Sequence, residues 1–132
     1  MSQTPLFCGA VSNEVATLTA PTAVTSRANI AGTTGLTKLT NASTLGRRVD
    51  SITAKGKATN AATNLFVWLY DGTTSMLLTE LDLPAVTAGN TADSVEVTKQ
   101  FPVPLNLTAT QQLYVSVTVS ADLNVFAPGG TY

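Results

Sequence analysis

The sequence predicts an all-β protein: an antiparallel β-sandwich, jelly-roll-like, with an irregular N-terminal arm. Three observations predict it. No long stretch carries apolar residues at helical spacing among good helix formers. Short apolar or alternating runs recur instead, punctuated by Gly, Pro, Asn and Asp. One run, "LYVSVTVS" at 113–120, alternates strictly, with Leu113, Val115, Val117 and Val119 to one face and Tyr114, Ser116, Thr118 and Ser120 to the other. A chain of 132 residues fits one domain with a core of its own. Residues 1–45 are expected to form the arm and edge strands of that domain, and 46–132 the sandwich core.

The arm is rich in Ala, Thr and Gly and weakly periodic, so its register is poorly specified. It offers two short candidate strands, Val15–Thr19 and Ala23–Ser26. The remainder reads as loop, sheet edge, or a segment that orders on a partner. The signal firms at Arg47. "RRVDSITAKGKA" alternates Ile52, Ala54, Gly56 and Ala58 against Val49, Ser51, Thr53, Lys55 and Lys57, and "TNAAT" then breaks the run. Next comes "NLFVWLY", apolar on both faces: Leu65, Val67 and Leu69 on one, Phe66, Trp68 and Tyr70 on the other. Such a strand is central, and its second face needs a cover. The candidates are the chain's own loops, its N-terminal segment, a neighbouring subunit, or a ligand.

Asp71-Gly72 marks a turn, because Gly accepts positive φ and Asp bonds its neighbouring backbone. "SMLLTELDL" is the return strand, and Pro84 opens a loop. In "VEVTKQFPVPL", Val95, Val97, Lys99, Phe101 and Val103 share a side. Pro102 and Pro104 cannot donate to a ladder, which places this segment at a sheet edge. After "LTATQQ" and the alternating strand, a turn near Asp122 leads to "NVFA" and the tail "PGGTY".

Composition narrows the function classes. Charged residues are only 11% of the chain, against roughly 25% in an average soluble domain, and a surface so poor in charge suits packing against other protein. The net charge of −1 offers no basic field for nucleic acid. No apolar run is long enough to span a bilayer as a helix. The start "MSQTPLFCGAV" lacks the pattern of a secretory signal, and Cys8 has no partner for an internal disulfide, so synthesis in a reducing cytoplasm is expected. The chain has no histidine, which removes Ser-His-Asp and Cys-His nucleophilic systems and the commonest transition-metal ligand. No phosphate loop or dinucleotide fingerprint occurs. Glu80 and Asp82, at i and i+2 on one strand face, with Asp71 across the hairpin, are the carboxylates that could bind Ca²⁺ or flank a glycosidic bond; a solvated strand face is the simpler reading. We expect no enzyme activity, no cofactor and no metal.

Charge order along the chain suggests polarity. Arg27, Lys38, Arg47, Arg48, Lys55 and Lys57 are interrupted only by Asp50, whereas Asp71, Glu80, Asp82, Asp93 and Glu96 follow as a purely acidic set. If the fold keeps the sets apart, one end is basic and the other acidic, and copies can meet head to side.

The stretches "FVWLYDG", "LLTELDLPAVTAG", "FPVPLNLTATQQLYVSVTVS" and "LNVFAPGGTY" together resemble small all-β virion proteins of tailed bacteriophages, of the head decoration or cement type. The likeness spans roughly residues 47–132 and lies in the order of strands and turns. It implies a β-sandwich subunit in the virion, made in the host cytoplasm, that stabilises the shell through contacts with the major capsid protein or other virion proteins. It also implies a homo-oligomer, a trimer foremost. A tail, neck or fibre-associated role and a carbohydrate-binding β-sandwich module are the alternatives. Size, charge and terminal placement select Phe7, Arg47, Arg48, Trp68, Tyr70 and Tyr132 as candidate contact residues.

Overall fold

The computed structural model describes residues 9–132. They form nine strands and no helix. The strands are β1 (Ala10–Leu18), β2 (Ile30–Ala31), β3 (Thr37–Lys38), β4 (Arg47–Gly56), β5 (Thr63–Tyr70), β6 (Thr74–Leu83), β7 (Glu96–Leu107), β8 (Gln112–Val117) and β9 (Leu123–Thr131). One sheet has the order β1-β9-β4-β7 and the other β2-β6-β5-β8-β3, with every ladder antiparallel. Set β2 aside as an addition to the β6 edge. The remaining strands then run first–eighth–third–sixth in one sheet and second–seventh–fourth–fifth in the other. That order is a jelly roll, two interlocked Greek keys.

The core lies between the two inner faces. Val49, Ile52, Ala54, Leu123 and Val125 from the four-stranded sheet meet Leu65, Val67, Leu81, Leu83, Leu113, Val115 and Val117 from the five-stranded one. A bulge in β4 explains why Val49 and Ile52 are both buried although strict alternation puts them on opposite faces. The register slips between Val49 and Ser51 against β7, and between Val49 and Thr53 against β9. One extra residue flips the parity, so Val49 turns inward with Ile52 and Ala54. Beside the bulge, β9 comes close to β4: a Cβ built on Gly129 would lie 1.8 Å from the Arg48 carbonyl oxygen.

The prolines act as anticipated. β7 is an edge strand, and its residues 101–104 stand opposite the single residue Asp50 between the Val49–Leu105 and Ser51–Gln100 pairs. This outward loop of strand leaves Val103 81% exposed rather than on the inner side with Val97. Gly72 adopts φ 104°, and Asp71 Oδ1 accepts from the Thr73 amide at 2.9 Å and the Thr74 amide at 2.8 Å, closing the β5–β6 turn. At the other end of the alternating run, β8 stops at Val117, so Val119 is 45% exposed instead of facing in.

Residues 19–46 are irregular apart from β2 and β3. β1, however, is a regular nine-residue strand beginning at Ala10, well before the expected Val15. Its inward residues Ser12, Glu14, Ala16 and Leu18 are mostly polar or small, so it carries no apolar alternation to read.

The second face of β5 is covered by the chain itself. Ala23 bridges Val117 and the Val24 amide donates to the Val117 carbonyl, on the side of β8 away from β5 and beyond the two residues that β3 pairs. Seven residues later β2 pairs with Ser75 and Thr74 of β6, and at β3 the chain is back on β8. Since β5 lies between β6 and β8, residues 24–36 cross it twice, as a strap on the outer face. Arg27 sits over Phe66, its guanidinium carbon 5.0 Å from the ring centroid. Phe66 and Trp68 meet edge to face and are fully buried. The indole N–H of Trp68 donates to Ser116 Oγ at 2.9 Å, so the buried polar atom is satisfied.

Phe66→Ala should destabilise the chain by about 3–5 kcal/mol, the usual cost of emptying a buried aromatic site, read by denaturant unfolding. Gly129→Ala should prevent native folding, whereas Gly89→Ala, whose new methyl would meet nothing within 4 Å, should leave the unfolding midpoint unchanged.

Candidate interaction surfaces

The candidate contact residues do not assemble into one patch. Phe7 lies outside the described residues. Trp68 is fully buried beneath the strap and cannot touch a partner, which corrects its assignment as a contact residue. The apolar face that seemed to need a neighbour is completed by the chain.

Arg47 is also corrected. Its side chain is 7% exposed and pairs with Glu14 on β1 at 2.8 Å. Its Nε donates to the Asn41 carbonyl at 3.1 Å and Nη1 to Ser12 Oγ at 3.1 Å. These bonds reach beneath β9 and tie β4, β1 and the loop before β4 at one end of the sandwich. They absorb the guanidinium in the fold instead of presenting it. Arg48 is half-buried beside Asp50. Its Nε is 3.0 Å from Oδ1 but lacks hydrogen-bond geometry, so the contact is an ion pair helped by a weak Nη2–Oδ2 bond at 3.5 Å.

Tyr70 and Tyr132 remain half-exposed. Tyr70 packs edge to face against Tyr114, with centroids 5.5 Å apart, and its hydroxyl donates to the Gly72 carbonyl at 2.8 Å. Tyr132 donates its hydroxyl to Asn106 and its amide to the Gly46 carbonyl at 3.2 Å, so the ring closes the β4–β7–β9 end. Both hydroxyls are committed to internal acceptors.

The expected separation of charge does not occur. Arg27 pairs with Glu80, Arg47 with Glu14, Arg48 with Asp50 and Lys55 with Glu96. Two of these pairs join the basic set to the acidic one: Lys55 and Glu96 are register partners on β4 and β7, and the strap brings Arg27 to Glu80. Of the carboxylates considered for chemistry, Glu80 and Asp71 are engaged and Asp82 is exposed. Glu80 receives both Arg27 Nε, at 2.9 Å, and Nη2, at 2.8 Å. The Arg27 hydrogen bonds hold the Glu80 carboxyl below its usual range, and its partner Arg27 is raised by the same bonds. Asp71 is lowered as well, chiefly by the Thr74 and Thr73 backbone amides. Among the described residues, no three His, Cys, Asp or Glu side chains lie close enough together to hold a metal ion.

What the sequence reading missed is the outer face of the four-stranded sheet. Among the described residues, no strap crosses it. Val11 is 85% exposed, Val15 49% and Phe126 38%. Val15 and Phe126 line a shallow groove with Pro128, Thr53, Lys55 and Glu96. Val15 and Phe126 are register partners on β1 and β9, which makes their side chains neighbours on the same face. The signal available in sequence was faint: valines at 11 and 15 in a run whose register was not legible. No family model matches the chain, and no curated protein matches it either.

Arg47→Ala strips the nearly buried Glu14 of its partner and should cost about 3–5 kcal/mol in unfolding experiments; Arg48→Ala, at a partly exposed pair, should cost about 0–1 kcal/mol. Asp71 and Glu80, with folded values below their unfolded ones, should stabilise the chain at neutral pH. That contribution should disappear as pH falls through the acidic range below the ordinary carboxylate values. The double variant Asp71→Asn, Glu80→Gln should therefore show a shallower acid limb in a plot of stability against pH.

Proposed function

We propose that the protein is a structural subunit of a bacteriophage virion, a decoration or cement protein that stabilises a shell by burying its own surface against capsid subunits. The observation that carries this reading is the outer face of the β1-β9-β4-β7 sheet, which no other described segment covers, with Val11, Val15, Phe126 and Pro128 side by side. The jelly-roll order, the 11% charged composition and the resemblance of residues 47–132 to small virion proteins support it. The contact face differs from the one the sequence suggested: it is the four-stranded sheet, since the outer face around Trp68 is closed.

The mechanism is surface burial without chemistry. Apolar area removed from water contributes about 25 cal/mol per Å². A weak contact of this kind becomes firm when symmetry repeats it over a shell. The apolar groove has acidic and basic rims, Glu96 and Lys55, which orient a partner more than they hold it. For a sugar-binding role Trp68 is buried and Asp71 is tied into its turn, which leaves Tyr70, half-exposed against Tyr114, as the aromatic beside that turn.

The purified chain should sediment with assembled phage heads, and antibodies to it should decorate intact particles in electron micrographs. Phe126→Asp should abolish the co-sedimentation while changing stability by less than about 1 kcal/mol, as surface substitutions do. Absence of the chain from purified particles, or binding that ignores Phe126→Asp, would remove this reading.

A further inference from the structure

We propose that the free edge of β1 pairs antiparallel with the same edge of a second copy of this chain, about a two-fold axis at Asn13. The inference stands on the sheet edges and does not need the virion reading.

A sheet edge exposes a row of unpaired N–H and C=O groups, and soluble proteins blunt it with Pro, Lys, bulges or brevity. Three of the four edges here are blunted. β7 carries Pro102, Pro104, Lys99 and the outward loop at 101–104. β2 and β3, the edges of the other sheet, are two residues long. β1 has none of these devices. It spans nine residues, pairs with β9 in unbroken register from Ala10 to Leu18, and contains no Pro, Lys or Arg. Among the described residues, no segment pairs with its outer side.

The side chains favour a copy of β1 as the occupant. Its outward residues are Val11, Asn13, Val15 and Thr17, so no charge faces solvent on that side. Its one charge, Glu14, points inward to Arg47 at 2.8 Å. An axis at Asn13 sets Val11 beside Val15 of the copy, twice, and Asn13 beside Asn13. An axis at Glu14 would oppose two carboxylates, and one at Ser12 would set Val11 against Asn13. Antiparallel pairing of identical strands is isologous, so every contact is made twice. It joins the two four-stranded sheets into one continuous sheet and doubles the apolar strip of Val11, Val15 and Phe126 on a single face.

Light scattering on the full chain should give twice the 13.6 kDa mass at high concentration. Asn13→Lys, which places two ammonium groups at the axis, should return the mass to that of one chain with an unchanged far-ultraviolet spectrum. Thr98→Lys, on the opposite edge, should leave the doubled mass intact. In a Cys8→Ser background, Asn13→Cys should form a disulfide-linked dimer on mild oxidation, a result that decides the matter even if Asn13→Lys fails to fold. A monomer at every concentration would overturn the proposal. So would a trimer, whose cyclic symmetry has no isologous contact, or a dimer that gives no cross-link through Asn13→Cys.

Discussion

The strap over β5 is the constraint on which the rest of this structure depends. A strand apolar on both faces is stable only between two layers, because each exposed aromatic would forfeit the free energy of leaving water. The inner layer is the opposing sheet. The outer layer is residues 24–36, anchored on β8 at Val117, on β6 at Ser75, and again on β8 at Val115. Arg27 fastens the middle of the crossing by lying over Phe66 while holding Glu80, the register partner of Phe66 on β6. One cation thus covers the ring and neutralises the carboxylate beside it.

This closure makes the molecule asymmetric. The strap closes the centre of the outer face of the five-stranded sheet, over Phe66 and Trp68, and leaves Tyr70 and Tyr114 half-exposed beside it. The four-stranded sheet keeps one face in solvent, and there the outward residues are a mixture of Val, Phe, Thr, Lys and Glu. The two sheets have the same strand chemistry but different duties. Edge chemistry follows the same division, since β2 and β3 belong to the strap and are too short to recruit a strand, while β1 is long and regular.

Part of the charge is paired inside the molecule. With few charged residues available, pairing Arg47 with Glu14 beneath β9 and Arg27 with Glu80 on the outer face leaves little net field to steer association. Other charged residues, among them Lys38, Lys57, Asp82, Asp93, Lys99 and Asp122, are exposed. The inward Glu14 also removes from β1 the one charge that could have opposed a neighbouring strand.

The sequence by itself determined the class of fold, the turn at Asp71-Gly72, the edge position of the Pro102–Pro104 strand and the inward faces of β5 and β8. These are local: alternation at period two, the φ tolerance of Gly and the missing amide of Pro act within a few residues. It also posed the question of the second face at Phe66 and Trp68. Tertiary structure alone decided the answer, because the cover comes from residues some forty positions earlier whose Ala, Thr and Gly carry no periodic signal. It likewise decided that Val49 turns inward at a bulge, that Arg47 is hidden by Glu14, and that β1 is a strand at all. Each of these depends on a partner distant in sequence, and a single strand read alone contains its own pattern but not its neighbours.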